Sequence, residues 1–313
     1  MTAVAQTIPS EHRQSWREAI ISVDQFSRDD ISIIFERADR MAADPGLSLA
    51  GRTLANLFYE PSTRTSSSFH AAMTRLGGSV IPINEVHYSS VSKGETLEDT
   101  VRTLACYADV MVLRHSDDDA TDRAATVCDI PIINGGNGRS EHPTQALLDL
   151  YTIRRERGGI DGLTVTMMGD LKYGRTVHSL AKLLRMYDVT LNFVSPDTLG
   201  MPKEYQRDGD GKFSSLDLVI AGTDILYVTR VQTERCSEDP AIDISYAITK
   251  DDMARAADNM VLMHPLPRVG EIPTELDSDP RAAYFRQMQY GLYVRMALLA
   301  EMLTGDTETA LEN

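Results

Sequence analysis

The strongest chemical signal in the chain is Tyr59-Glu-Pro-Ser-Thr-Arg-Thr65. It lies between an apolar run, TLANLFY at 53–59, and a segment with helical periodicity. A helix that begins at Ser62 leaves its first backbone N–H groups without partners and carries partial positive charge there, a ready anion site. Ser62, Thr63 and Thr65 add hydroxyls, and Arg64 adds a planar fork suited to phosphate. An isolated S-T-R-T is more often a plain Ser cap with a surface Arg. The position after a strand favours a ligand, because open α/β sheets bind ligands at strand carboxyl ends. G-x-x-x-x-G-K-[ST] is absent, so this is not a P-loop.

Similar polar groups follow other apolar runs. They are Arg114-His115 after VMVL, Ser140-Glu-His142-Pro-Thr-Gln145 after IPII and a glycine-rich stretch, Lys172-Tyr-Gly-Arg175 after VTMMGD, Arg230-Val-Gln232 after ILYVT, and His264-Pro-Leu266-Pro-Arg268 after MVLM. Singly, each fits a solvated strand end. Gathered on one sheet edge they supply Arg64, Arg114, Arg175 and Arg230, a set suited to strongly anionic substrates. Carboxylates are few, which disfavours paired-carboxylate and metal catalysis. Gly169–Gly174 lacks G-x-G-x-x-G, so a dinucleotide is not expected. No cofactor and no metal are called for.

The elements that must hold these residues alternate between apolar runs and helical patterns, which predicts an α/β protein with mostly parallel strands. Strands are expected at 53–59, 79–83, 110–113, 130–133, 163–168, 189–194, 225–229 and 260–263. Phe69, Ala72, Met73 and Leu76 fall at i, i+3, i+4, i+7, a helix that Gly77-Gly78 stops. Val177, Leu180, Ala181 and Leu184 repeat that pattern in a helix to about Met186. Pro143 suits a first helical turn, and a terminal helix is expected over about 283–303. Residues 203–217 (KEYQRDGDGKFSSLD) fit no element. The boundary between two domains, 1–150 and 151–283, is expected near residue 150, inside or just after the helix that starts at Pro143.

Composition narrows the function classes. The 313 residues carry 31 Lys and Arg against 46 Asp and Glu, a formal net charge of −15. A nucleic-acid partner would favour the opposite sign. Six Lys stand against 25 Arg, and 29 Asp against 17 Glu. That balance fits either a salt-rich cytosol, where self-repulsion is screened, or GC-rich codon usage. No apolar run of about 18 residues predicts a membrane span, and the first residues show no secretory pattern. Cys106, Cys128 and Cys236 form neither C-x-x-C nor a Cys/His cluster. They are expected to be core cysteines in a reducing cytoplasm.

In order, FYEPSTRT, SSVSKGET, LRH, SEHPTQALLDLYTI, GDLKYGRTVHSL, YVTRVQ and MHPLPR closely resemble segments of aspartate carbamoyltransferase catalytic chains, from about residue 21 to 303. The resemblance implies two doubly wound domains, each a mostly parallel sheet flanked by helices, with a C-terminal helix returning to the first. It implies a carbamoyl phosphate site of Ser62, Thr63, Arg64, Thr65, Arg114, His142 and Gln145. Ser89 and Lys93 would reach into a neighbouring subunit of a homotrimer; from sequence alone they read as a surface loop. Arg175, Arg230, Gln232 and the Leu266 backbone would hold aspartate. Thr65, Arg114 and His142 would be catalytic, and Glu60 would pair with Arg175 or Arg235. Ornithine-type relatives typically carry H-C-L-P where this chain has Pro265. An inactive scaffold would be expected to lose Arg64, Lys93 or His142, and all three are present. A separate regulatory chain is neither required nor excluded. The stretch 202–224 is shorter than the family leads one to expect, as if a helix–strand unit were trimmed.

Overall fold

The computed structural model describes residues 15–84, 93–138, 140–230 and 247–304. Two five-stranded parallel sheets, each flanked by helices, form the frame. The first contains β1 (Ala19–Ile20), β2 (Thr53–Phe58), β3 (Ser79–Ile83), β4 (Val110–His115) and β5 (Ile132–Asn137), in spatial order β1-β5-β4-β2-β3. Its helices are α1 (Arg28–Ala43), α2 (Thr63–Arg75), α3 (Leu97–Ala105), α4 (Ala120–Ala125) and α5 (Pro143–Arg157). The second contains β6 (Thr164–Met168), β7 (Thr190–Val194), β8 (Gly211–Phe213), β9 (Ile225–Val228) and β10 (Val261–Met263), ordered β10-β9-β6-β7-β8. Helices α6 (Arg175–Leu184) and α7 (Lys250–Arg255) flank it, and the terminal helix is α8 (Tyr284–Thr304).

Parallel strands need crossovers and bury both faces, hence the continuous apolar runs VMVL and ILYV. Leu54 stands opposite Val110 and Met111 opposite Ile132, and the β4–β5 register shifts between Leu113 and His115. All strands of a parallel sheet end at one edge, so every segment that follows a strand is delivered to that edge.

Helix α5 runs unbroken through the boundary expected near residue 150. Every residue from Pro143 to Ile153 is buried, as befits a helix wrapped on all sides. It packs on α6 and α8, and α8 also packs on α1 and α2. One apolar cluster therefore reaches from Ile20 and Phe58 in the first sheet to Val165 and Tyr227 in the second. Gly291 of α8 allows this closeness, because a Cβ there would lie 2.8 Å from Leu148 Cδ2.

Three expectations need correction. The strand expected at 130–133 begins at Ile132 and continues through the glycines to Asn137, all six residues buried. At Gly135 a side chain would press Val112 Cγ1 at 3.1 Å and the Leu113 carbonyl at 3.2 Å, so glycine is what the buried strand accepts. The 203–217 segment is ordered as a 3-10 turn (Lys203–Tyr205), the edge strand β8 and a second 3-10 turn (Leu216–Leu218). An Arg185–Asp210 ion pair at 2.5 Å pins its turn, so the strand is kept and no α-helix stands between β7 and β9. Cys106 is exposed at the end of α3 and Cys128 is half-buried, neither a full core residue. Cys236 lies outside the described residues.

Gly169, at the end of β6, has φ +118°, and a Cβ there would lie 2.2 Å from the Thr229 carbonyl oxygen. Neither backbone can yield without moving a strand end. Gly169→Ala is expected to cost at least about 3 kcal/mol, combining left-handed strain with overpacking. Urea unfolding checks this, and a loss under about 1 kcal/mol would contradict it.

Candidate active site

The carboxyl ends of the two sheets face a common cavity of about 540 Å³. From the first sheet, β2 delivers Glu60 through Thr65, β4 delivers Arg114, and the turn after β5 delivers His142 and Gln145. From the second, β6 delivers Arg175 and Thr176, β9 delivers Thr229 and Arg230, and β10 delivers His264 through Pro267. The polar groups expected on one sheet edge are thus shared between two.

Ser62 is the N-cap of α2, yet its side chain makes no capping hydrogen bond. Its hydroxyl and the first N–H groups of a 13-residue helix are left toward the cavity, which is the arrangement an anion needs. This weighs against a plain Ser cap. Arg64 is exposed at the same end. Lost solvation on its cavity side, and then the like charge of Arg230, pull its pKa down. Thr65 is buried, with Oγ1 3.5 Å from His142 Nε2.

Arg114 and Arg175 approach each other over Gly136. A Cβ on Gly136 would stand 3.1 Å from a guanidinium nitrogen of each. That glycine has φ +115°, and its missing side chain is the space the two arginines use. Glu60 lies beside both, with Oε2 3.3 Å from Arg114 Nε and 3.8 Å from Arg175 Nη2. Arg175 Nη1 also donates to the Gly138 carbonyl at 2.6 Å, a first-sheet anchor for a second-sheet side chain. The expected Glu60–Arg175 proximity exists, and Arg114 joins it. Arg235 lies outside the described residues.

His142 is 4% exposed, and its backbone N–H donates to Ser179 Oγ at 3.2 Å. Burial, followed by the charges of Arg175, Arg114, Arg295 and Arg64, drives its imidazole pKa well below the ordinary value. Such a ring is neutral at pH 7 and serves as a hydrogen-bond donor. Its Nδ1 has no partner among the described residues. His264 is similarly displaced to about 3, first by burial and then by Arg64, Arg268 and Arg230. Its Nδ1 accepts the Leu266 N–H at 2.8 Å, fixing the turn in which Leu266 takes φ 56°.

Behind the cavity Asp149 is fully buried. Burial raises it to about 7, against the lowering effects of hydrogen bonds from Tyr227, Gln287 and Gln145 and the charge of Arg295.

Not every expected residue lines this cavity. Lys93 is exposed and away from it. Lys172 is exposed over the Tyr173 ring, and Arg268 pairs with Asp277 and Tyr284 instead. Ser89 and Gln232 lie outside the described residues. Thr176 and Thr229 line the cavity without having been singled out; their only sequence signal is adjacency to Arg175 and Arg230.

The buried imidazoles set a pH dependence. His142, His178 and His264 bind protons more weakly folded than unfolded. Acidification below the ordinary imidazole value of about 6.5 therefore favours unfolding. Asp149 works the other way, taking its proton near 7 when folded and near 3.8 when not. Three groups outweigh one, so stability is expected to fall between pH 7 and 5.5, with His142→Gln shallowing the slope. Urea midpoints across that range check this, and a rise on acidification would contradict it.

Comparison with known proteins adds independent findings. Residues 18–155 match the family described as aspartate/ornithine carbamoyltransferase, carbamoyl-P binding domain, and residues 161–302 match its Asp/Orn binding domain. The aspartate carbamoyltransferase catalytic subunit of Thermoplasma acidophilum is 46% identical over 299 residues, covering 91% of this chain and 98% of that one. The multifunctional protein URA2 of Saccharomyces cerevisiae is 50% identical over 302 residues, 92% of this chain but 14% of the relative. The chain spans about a seventh of the length of such multifunctional relatives. Aspartate transcarbamoylase from Trypanosoma cruzi, solved with carbamoyl phosphate and aspartate, aligns at TM-score 0.85 and 46% identity, covering 90% of this chain and 95% of that one. With both of its halves matched in order, this chain belongs to the aspartate/ornithine carbamoyltransferase family.

Proposed function

We propose that this chain transfers the carbamoyl group of carbamoyl phosphate to the amine of L-aspartate, giving N-carbamoyl-L-aspartate and phosphate, an early step of pyrimidine biosynthesis. One observation carries the reading. An uncapped helix N-terminus with Arg64 and, from the opposite sheet, Arg175 and Arg230 open onto one cavity. Two anions can therefore be held side by side that would repel each other in water. The named relatives and the liganded neighbour structure support the same acceptor.

In this reading Ser62, Thr63, Arg64 and Thr65 hold the phosphate. Arg114, His142 and Gln145 surround the carbamoyl group, and Arg175, Arg230, Gln232 and the Leu266 backbone hold the aspartate carboxylates. Carbamoyl phosphate is an activated acyl donor, so the amine attacks the carbamoyl carbon directly. Negative charge grows on the carbamoyl oxygen, where Thr65, Arg114 and a neutral His142 donate hydrogen bonds; one such donor is typically worth about 3 kcal/mol of barrier. His142 binds protons too weakly to act as the base. An oxygen of the departing phosphate takes the amine proton instead. Holding both reactants in line supplies much of the remaining acceleration.

We place residues 1–150 and 284–313 in a carbamoyl phosphate domain and 151–283 in an aspartate domain. Helix α8 against α1, α2 and α5 supports that grouping. Lys93, exposed and not among the residues that line its own chain's cavity, supports a homotrimer in which Ser89 and Lys93 complete a neighbour's site. The assembly works in the cytoplasm, with or without a separate regulatory chain.

Product analysis with carbamoyl phosphate tests this, comparing L-aspartate with L-ornithine at low and high salt. Carbamoyl aspartate alone is expected; carbamoyl ornithine or no product would contradict the reading. His142→Ala is expected to lower kcat on the order of 10²–10³-fold. Arg230→Ala is expected to raise the aspartate KM more than that for carbamoyl phosphate; equal changes would contradict its assignment. Gly136→Ala, which displaces Arg114 and Arg175 together, is expected to lower kcat/KM at least 10-fold, and steady-state kinetics near the wild-type value would contradict that.

A further inference from the structure

The fully buried Asp149 touches no part of the cavity, yet it binds residues that do. Its Oδ1 accepts from Gln145 Nε2 at 2.8 Å and from Gln287 Nε2 at 2.6 Å, and its Oδ2 accepts from Tyr227 Oη at 2.7 Å. These partners come from α5, α8 and β9, so one carboxylate joins the first sheet's helix, the returning helix and a strand of the second sheet. The glutamines transmit its polarity. With its NH2 end held by a carboxylate oxygen, the Gln145 amide has one orientation, and Gln145 lines the cavity. Gln287 is held the same way, and its Oε1 accepts the His264 N–H at 3.0 Å, just before Leu266.

We propose that Asp149 is a positioning residue: it orients the Gln145 amide so that its carbonyl end receives the carbamoyl NH2, and through Gln287 it sets the His264–Leu266 segment for the acceptor. This rests on the carbamoyl-transfer reading. A glutamine alone could not discriminate in this way, because its amide offers a donor and an acceptor of nearly equal shape. The buried acceptor removes the ambiguity. A flipped Gln145 would set its NH2 against that of the carbamoyl group, two donors facing each other without an acceptor.

The inference separates two ligands that share a phosphate. Inorganic phosphate needs only the α2 N-terminus and Arg64, whereas carbamoyl phosphate also needs an oriented Gln145. Calorimetric titration of the full chain with each ligand is the test, with circular dichroism confirming the fold of each variant. Asp149→Ala is expected to weaken carbamoyl phosphate binding at least 10-fold and inorganic phosphate binding less than 2-fold. Asp149→Asn keeps an acceptor for both glutamines, turns its NH2 toward the Tyr227 oxygen, and recovers most of the loss. Gln287→Leu spares the Gln145 contact and is expected to raise the aspartate KM at least 5-fold; it also decides the matter if Asp149→Ala fails to fold. Equal weakening of both ligands in a folded Asp149→Ala, wild-type binding of both, or a wild-type aspartate KM in Gln287→Leu would overturn the inference. A wild-type chain that binds carbamoyl phosphate no better than inorganic phosphate would overturn the carbamoyl-transfer reading as well.

Discussion

The structure depends on holding positive charge against positive charge inside an acidic protein. Arg114 and Arg175 bring guanidinium nitrogens within 3.1 Å of one point beside Gly136, and Arg64 and Arg230 face the same cavity. At about 6 Å, the greatest nitrogen separation those two distances allow, like charges repel by roughly 3 kcal/mol at an effective dielectric constant of 20. Glu60 offsets part of this by standing between Arg114 and Arg175. The remaining positive potential is what a pair of anionic substrates would neutralise. It also explains the imidazoles: His142 and His264 are held neutral by burial and by the same arginines. The cavity therefore carries its charge on the arginines while its two imidazoles stay uncharged.

The site is built from two sheets, whose carboxyl ends both open onto the cavity. Arg64 and Arg114 come from one, Arg175 and Arg230 from the other, and the apolar cluster around α5, α6 and α8 fixes their relation. The polar joint at Asp149 lies on the same helix as Gln145, one turn deeper. Two further links reinforce it: Arg175 reaches back to the Gly138 carbonyl, and the Lys182 side chain of α6 pairs with the carboxylate of Glu141, the neighbour of His142, at 2.7 Å.

What could be read from the sequence followed from local physics. Strand β2 and helix α2 announce themselves by an apolar run, a Ser cap position and i, i+3, i+4, i+7 spacing, and the cavity residues follow because parallel strands share an edge. The glycines of β5 misled because glycine ordinarily marks a turn. Here they serve close approach within a buried strand, a tertiary demand with no local signature. Strand β1 has two residues, too few for any periodicity. The 203–217 segment folds through one ion pair and 3-10 turns rather than through pattern. The Asp149 network was invisible for another reason: Asp149, Tyr227 and Gln287 are far apart in the chain, and only their burial makes them partners. Cys106 looked like a core residue from composition alone, but it ends a helix at the surface.

In the proposed reaction the two anions divide between the two sheets, with the donor phosphate at the α2 N-terminus and the acceptor carboxylates at Arg175 and Arg230. The most direct measurement is a crystal structure of the chain with carbamoyl phosphate and succinate, a dicarboxylate that has no amine to react. Phosphate oxygens are expected within hydrogen-bond reach of the Thr63–Thr65 backbone and Arg64, and succinate carboxylates on Arg175 and Arg230. Phosphate seated on Arg175 and Arg230, with the α2 N-terminus empty, would contradict it.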